Sequence, residues 1–204
     1  LQPPMMTGSL REPYLENKGT EQIPDWQPSE RYGDLYFKPD ILNALFVSCA
    51  KAGLHPHTHT MTDGAIEMVL NAIEEMRSVC PDSDIRPTLA HNEYVGSDQY
   101  PRYKALNATV LLAFQWAGVT PELMQEEQNI LGTHRFQNLE TAGKFIDRGI
   151  RVAFGSDWPI DPLNEWYDFQ VGVTRQAHLG NEIYTPRLET DRNLTVKEVL
   201  RAAT

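Results

Sequence analysis

The chain has 204 residues, 41% of them hydrophobic and 23% charged, which suits a soluble protein with one buried core and leaves no room for two comfortable domains. Its formal charge of −10, with no Lys/Arg cluster to offset it, argues against nucleic acid and anionic membranes as partners. No apolar run approaches the roughly 20 residues needed to span a bilayer, and Cys49 and Cys80 lack metal or framework spacing, so they read as reduced thiols of a cytoplasmic protein.

Residues 1–38 carry Pro3, Pro4, Pro13, Pro24 and Pro28 and are expected to form an irregular, loop-rich segment. Residues 39–204 are regular. Ile41, Leu42, Leu45, Phe46 and Cys49 recur at helical spacing, and Gly53 closes that helix. "LHPHTH" reads as a strand. Thr62 or Asp63 then caps a helix whose apolar side is Ile66, Val69, Leu70, Ile73 and Met76. "IRPTLAH" is the next strand, "GSDQYPRYKALN" a loop and short helix, and "ATVLLAFQ" a strand with the continuous apolar character of a parallel sheet. A helix over 135–149 stops at Gly149, "IRVAFGSD" is the fourth strand, and helices follow near 164–176 and from 196, where "TVKE" is a capping box.

Strands alternating with helices predict an α/β fold with a parallel sheet, either open and doubly wound or part of a (β/α)₈ barrel. Strand alternation puts His55, His57 and His59 on one face, with His59 nearest the C-terminal end, where parallel α/β folds build their sites. His91 follows His59 by 32 residues and Asp157 follows His91 by 66, about one and two barrel units of roughly 31 residues. His59, His91 and Asp157 thus occupy equivalent strand ends, and imidazole with carboxylate suits zinc or a related divalent ion with a position left for water.

The remaining candidates have plainer readings. His55 is expected to be packed or hydrogen-bonded. His57 lines the site, binds substrate or orients a ligand. His134 and His178 are surface or helix-end residues, and Asp63 is a cap. Gln115 and Trp116 end a strand where they would line the mouth of the site, and Trp158, in a strand-end loop, either shapes a substrate pocket or belongs to a structural turn. The sequons at Asn107 and Asn193 matter only in an exported protein. No G-x-S-x-G elbow, G-x-G-x-x-G turn or P-loop is present.

"GLHPHTHTMTDGAIEMVLNAIEEM", "AHNEY" and above all "GIRVAFGSDWPIDPLNEWYDFQVGVTR" resemble the metal-dependent amidohydrolase superfamily, in the subgroup that includes N-substituted formamide deformylase. The resemblance implies a (β/α)₈ barrel, of which this chain would be the second half, strands 5 to 8. It implies His59 and His91 as the fifth- and sixth-strand metal ligands, Asp157 as the eighth-strand ligand and proton carrier, and His57 as an additional histidine. Thr62 and Gly64 stand where the subgroup usually has Gly and Arg, and Pro56 interrupts the first strand. The implied activity is hydrolysis of a C–N bond in a small amide, formamide or cyclic amide by metal-activated water. The alternative is a non-catalytic, metal-binding remnant that needs a missing half. Open strand edges predict self-association into a homo-oligomer or pairing with a missing partner half.

Overall fold

In the computed structural model, residues 5–161, 163–179 and 182–204 are described. Four short strands form a wholly parallel sheet in the order β3-β4-β5-β6: β3 (His57–Thr60), β4 (Thr88–His91), β5 (Thr109–Leu112) and β6 (Arg151–Phe154). Register runs from Thr60 opposite His91 on one side to Leu112 opposite Phe154 on the other. This is the α/β fold with a parallel sheet that the alternation of elements predicts.

Helix α1 (Pro39–Ala52) starts on a proline, which fits the first turn, and ends at Gly53, whose φ of 70° lets its N–H reach back to the Ala50 and Cys49 carbonyls. It packs on α2 (Asp63–Val79). The inner side of α2, Ile66, Leu70, Ile73 and Met76, is fully buried and meets Leu89 of β4 and Val110 of β5 in the main core. Each such side chain contributes about 1.5–3 kcal/mol by leaving water. Helices α3 (Tyr100–Ala105) and α6 (Ala142–Asp147) continue this layer, with Phe145 edge-on to Tyr100 and Tyr103.

Several elements depart from the expectations. The strand "LHPHTH" begins only at His57, because Pro56 has no N–H for the ladder, although its carbonyl accepts from Thr88 N. The helix expected over 135–149 is broken into α5 (Thr133–Phe136) and α6. Leu139, between them, turns away from the main core into a second cluster with Leu10, Tyr14, Tyr94, Ile130 and Leu131, while Phe145 stays in the first. One straight helix does not serve both. Helix α4 (Pro121–Leu131) has the cap signal Thr120-Pro121, and the Thr120 hydroxyl accepts from Leu123 N. Helices α7 (Glu165–Thr174) and α8 (Val196–Ala202) lie where expected, and the Thr195/Glu198 capping box is formed. Between them lies a small antiparallel pair, β7 (His178–Leu179) and β8 (Glu182–Ile183).

The described part of 1–38 is more ordered than its prolines suggest. β1 (Leu15–Asn17) pairs antiparallel with β2 (Trp26–Pro28), and Tyr14 is fully buried with its hydroxyl on the Gly8 carbonyl. Arg11 binds Asp63 through both its backbone N–H and its Nε, and clasps Asp98 through two further bonds of 2.7 Å. Burial pushes the Asp63 carboxyl up and the Arg11 bonds oppose it. Asp63 is therefore anchored by a cation rather than capping its helix, while the Thr62 hydroxyl bonds the Ser9 carbonyl. Arg11→Ala would strand a buried carboxylate, and because Arg11 is itself partly exposed, a loss of about 1–3 kcal/mol is expected. A melting temperature equal to wild type would show that the segment is not pinned here.

Candidate active site

The C-terminal ends of β3, β4 and β6 bring His59, His91 and Asp157 together. The His91 Nε2 lies 3.9 Å from Asp157 Oδ1, and the His59 and His91 rings meet edge-on with centroids 4.6 Å apart. His57 and His59 are both exposed and share a face of β3, whereas His91 is 6% exposed.

Local backbone geometry aims these groups. His91 and Asn92 adopt φ of 82° and 53°, and Asp157 has φ of 57°. Non-glycine residues enter this left-handed region only when their surroundings hold them there. Asn92 is the anchor on one side: its N–H bonds the Thr60 carbonyl, its Nδ2 the Leu89 carbonyl, and Tyr103 donates to its Oδ1 at 2.6 Å. Burial pushes the His91 imidazole down to about 4, with the Asp157 charge opposing and His59 and His57 assisting. At neutral pH it is therefore an uncharged ring, and its buried Nδ1 has no hydrogen-bond partner.

The strand expected through Gln115 ends at Leu112, and Phe114–Ala117 form a 3₁₀ turn. That turn grips both halves of the site. Gln115 donates through Nε2 to the Ser156 carbonyl at 2.8 Å, next to Asp157, and its own N–H is held by Asp168 Oδ1. Trp116 stacks on His91 with 4.8 Å between centroids and 7° between planes, and its Nε1 bonds Asp161 Oδ2.

A cavity of about 580 Å³ opens here, lined by His57, His59 and Asp157 and by apolar residues that include Phe37, Leu45 and Met68. Of the expected pocket residues, Trp116 lines this cavity, Gln115 lines a neighbouring one, and Trp158 is 66% exposed and lines neither. His55 is hydrogen-bonded as expected, accepting Arg86 N at 2.8 Å. His134 is exposed, whereas His178, expected to be an ordinary surface or helix-end residue, contacts the hydroxyl of Thr174 at the end of α7 and has a buried Nδ1. Asp168 and Asp161 escape sequence reasoning, since each is one acidic residue in a helix or loop with no spacing to mark it.

The donor chemistry suits a divalent ion: a neutral buried imidazole with an unclaimed nitrogen, a second imidazole beside it and a carboxylate near the first. Among the described residues, however, no three His, Cys, Asp or Glu side chains are close enough to enclose one.

The amidohydrolase family matches residues 7–204. This chain belongs to the amidohydrolase family. Among proteins similar to this amidohydrolase chain are the Protein LONG AFTER FAR-RED 3 of Arabidopsis thaliana, 22% identical over 71% of this chain and 24% of that protein, and the N-substituted formamide deformylase of Arthrobacter pascens, 27% identical over 90% of this chain and 32% of that enzyme. A crystal structure of an uncharacterized metal-dependent hydrolase from Pyrococcus horikoshii superposes with a TM-score of 0.73 at 18% identity, covering 97% of this chain and 35% of that one. The amidohydrolase chain spans a quarter to about a third of these proteins.

Proposed function

We propose that the chain forms the C-terminal half, strands 5 to 8, of a (β/α)₈ catalytic barrel in a metal-dependent hydrolase of C–N bonds, acting on a small amide, formamide or cyclic amide. The observation that carries this reading is the convergence of His59, His91 and Asp157 at the C-terminal ends of three parallel strands. Parallel barrels place catalytic groups at that end.

His59, His91 and Asp157 would hold the ion, for which zinc fits the nitrogen and oxygen donors. When bound, it lowers the pKa of a water to about 7 and polarises the carbonyl. The chain's own residues do the rest. Asp157 takes the proton from the attacking water and delivers it to the leaving nitrogen, as base and then acid. Gln115 fixes the Ser156 carbonyl, and with it the backbone that carries Asp157. Trp116 keeps the His91 ring in one plane. Apolar lining residues such as Phe37, Leu45 and Met68 take the hydrocarbon part of the substrate. The edges of β3 and β6, which pair with no further strand among the described residues, favour association with a further copy or further chain.

Elemental analysis of the purified chain tests the centre. Near-stoichiometric zinc is expected, and it should be lost in the His59→Ala/His91→Ala double variant. Zinc retained by the double variant, or absent from both after zinc titration, would reject these ligands.

A further inference from the structure

We propose that Tyr103, on α3, is a positioning residue for His91: its hydroxyl locks the Asn92 side chain, and Asn92 in turn fixes how the His91 imidazole is presented to His59. The inference rests on the reading of His59 and His91 as donors to a divalent ion, and extends it to a residue that bonds neither of them. Among the described residues, the Tyr103 hydroxyl makes one hydrogen bond, to Asn92 Oδ1 at 2.6 Å. Both side chains are fully buried. The phenol is itself well anchored. Its ring lies edge-on to Phe145, and Gln99, at the start of α3, ties that helix to α2 by donating through Nε2 to the Asp63 carbonyl at 2.7 Å.

The lock has one sense. Asn92 Nδ2 donates to the Leu89 carbonyl at 2.8 Å, so Oδ1 faces the other way, where only a donor suits it. Turning the amide over would set Oδ1 against the Leu89 carbonyl. Without the phenol the buried side chain therefore has no arrangement that satisfies both its ends, and an amide oxygen left unpaired there is costly. The backbone depends on that side chain. His91 and Asn92 are consecutive residues in the left-handed region, which non-glycine residues occupy only when they are held. Asn92 also ties the two histidine strands, since its N–H reaches the carbonyl of Thr60, the residue after His59, at 2.8 Å. Releasing Asn92 would loosen both the turn of the His91 ring and its spacing from His59. Tyr100 supplies a matched control: it is 1% exposed, on the same helix and edge-on to the same Phe145, but its hydroxyl pairs with Thr141 at 2.6 Å.

Tyr103→Phe and Tyr100→Phe each remove one buried hydroxyl, and only the first lies on the path to His91. Proton NMR of the metal-free chain reads the His91 ring, whose protons are shifted by the Trp116 ring stacked on it, and isothermal titration with zinc reads the donors. In Tyr103→Phe the His91 resonances should move toward unstacked values, and zinc affinity should fall about 10–100-fold, the usual effect of losing a partner that orients a ligand. In Tyr100→Phe both should stay at wild type, whatever the two variants lose in melting temperature. Wild-type His91 resonances or wild-type zinc affinity in Tyr103→Phe, or equal effects of the two substitutions, would overturn the proposal. If Tyr103→Phe fails to fold, Asn92→Gly takes its place with the same expected and overturning results, because glycine keeps the left-handed backbone open while removing the tie. A wild-type chain that takes up no zinc would reject the donors, and the His91 resonances of the metal-free chains would still decide the role of Tyr103.

Discussion

Asp157→Asn is expected to lower amide hydrolysis by the intact protein about 10²–10⁴-fold, the range that one general acid–base contributes, while leaving the fold unchanged. The amide is nearly isosteric, and Asp157 is not fully buried, with a side chain 28% exposed, so no core contact depends on its charge. Its backbone is held independently: Gln115 binds the preceding carbonyl, and the Gly155 N–H bonds the Leu112 carbonyl at 3.1 Å. Rates should therefore fall with little change in melting temperature. Wild-type turnover in the variant would remove Asp157 from the proton path and leave it, at most, as a ligand. A collapse of rate and fold together would mean that the residue is structural.

The second large effect is on stability against pH. Burial pushes the Glu127 carboxyl up to about 8, with Glu93 and Glu126 adding to it, and pushes Asp168 up to about 7, reinforced by Asp161 and Glu165. The Glu140 carboxyl is also raised, mainly by burial. A carboxyl with a raised folded-state pKa holds its proton where the unfolded chain has lost it, so the native state weakens as pH rises. Between pH 6.5 and 8, Glu127 and Asp168 together should remove about 2–3 kcal/mol of stability, at roughly 1.4 kcal/mol per unit of pKa difference. For a chain of this size that lowers the melting temperature by about 4–12 °C. His91 acts in the opposite sense at lower pH. Its depressed pKa of about 4 means that stability is lost as pH falls from about 6.5 toward 4, because only the unfolded imidazole takes up a proton there. Thermal melts across pH 4.5–8 should show a maximum on the acid side of neutral, and Glu127→Gln should flatten the alkaline limb. An unchanged alkaline limb in that variant would show that Glu127 is ionised in the native protein.

How much of this was legible in the sequence differs between fold and site. The alternation of strand and helix patterns was sufficient for the parallel sheet, and the helical apolar spacing from Ile66 to Met76 for its main helix, because that spacing faces a single core. The break at Leu139 was not legible. There the chain serves two cores in turn, and a local apolar pattern does not say which core a residue will join. In the site, His59, His91 and Asp157 were visible because they recur at strand ends. Their orienting contacts were not, since the Asp168 bond to Gln115 and the Trp116 stack on His91 join residues 53 and 25 positions apart. Proximity of that kind is created only by folding.

The 3₁₀ turn after β5 has a consequence for chain length. With three residues per turn, neighbouring side chains point about 120° apart, so Gln115 and Trp116 address Ser156 on one neighbouring strand end and His91 on the other. One residue inserted after Leu112 would rotate both by a third of a turn and cut the two ties in a single step. β5 carries neither imidazole nor carboxylate of its own at this end, yet it works as a ruler. Its length sets how far along the sheet the turn that carries Gln115 and Trp116 sits relative to the donors on either side, and substitutions there should be tolerated far better than insertions or deletions.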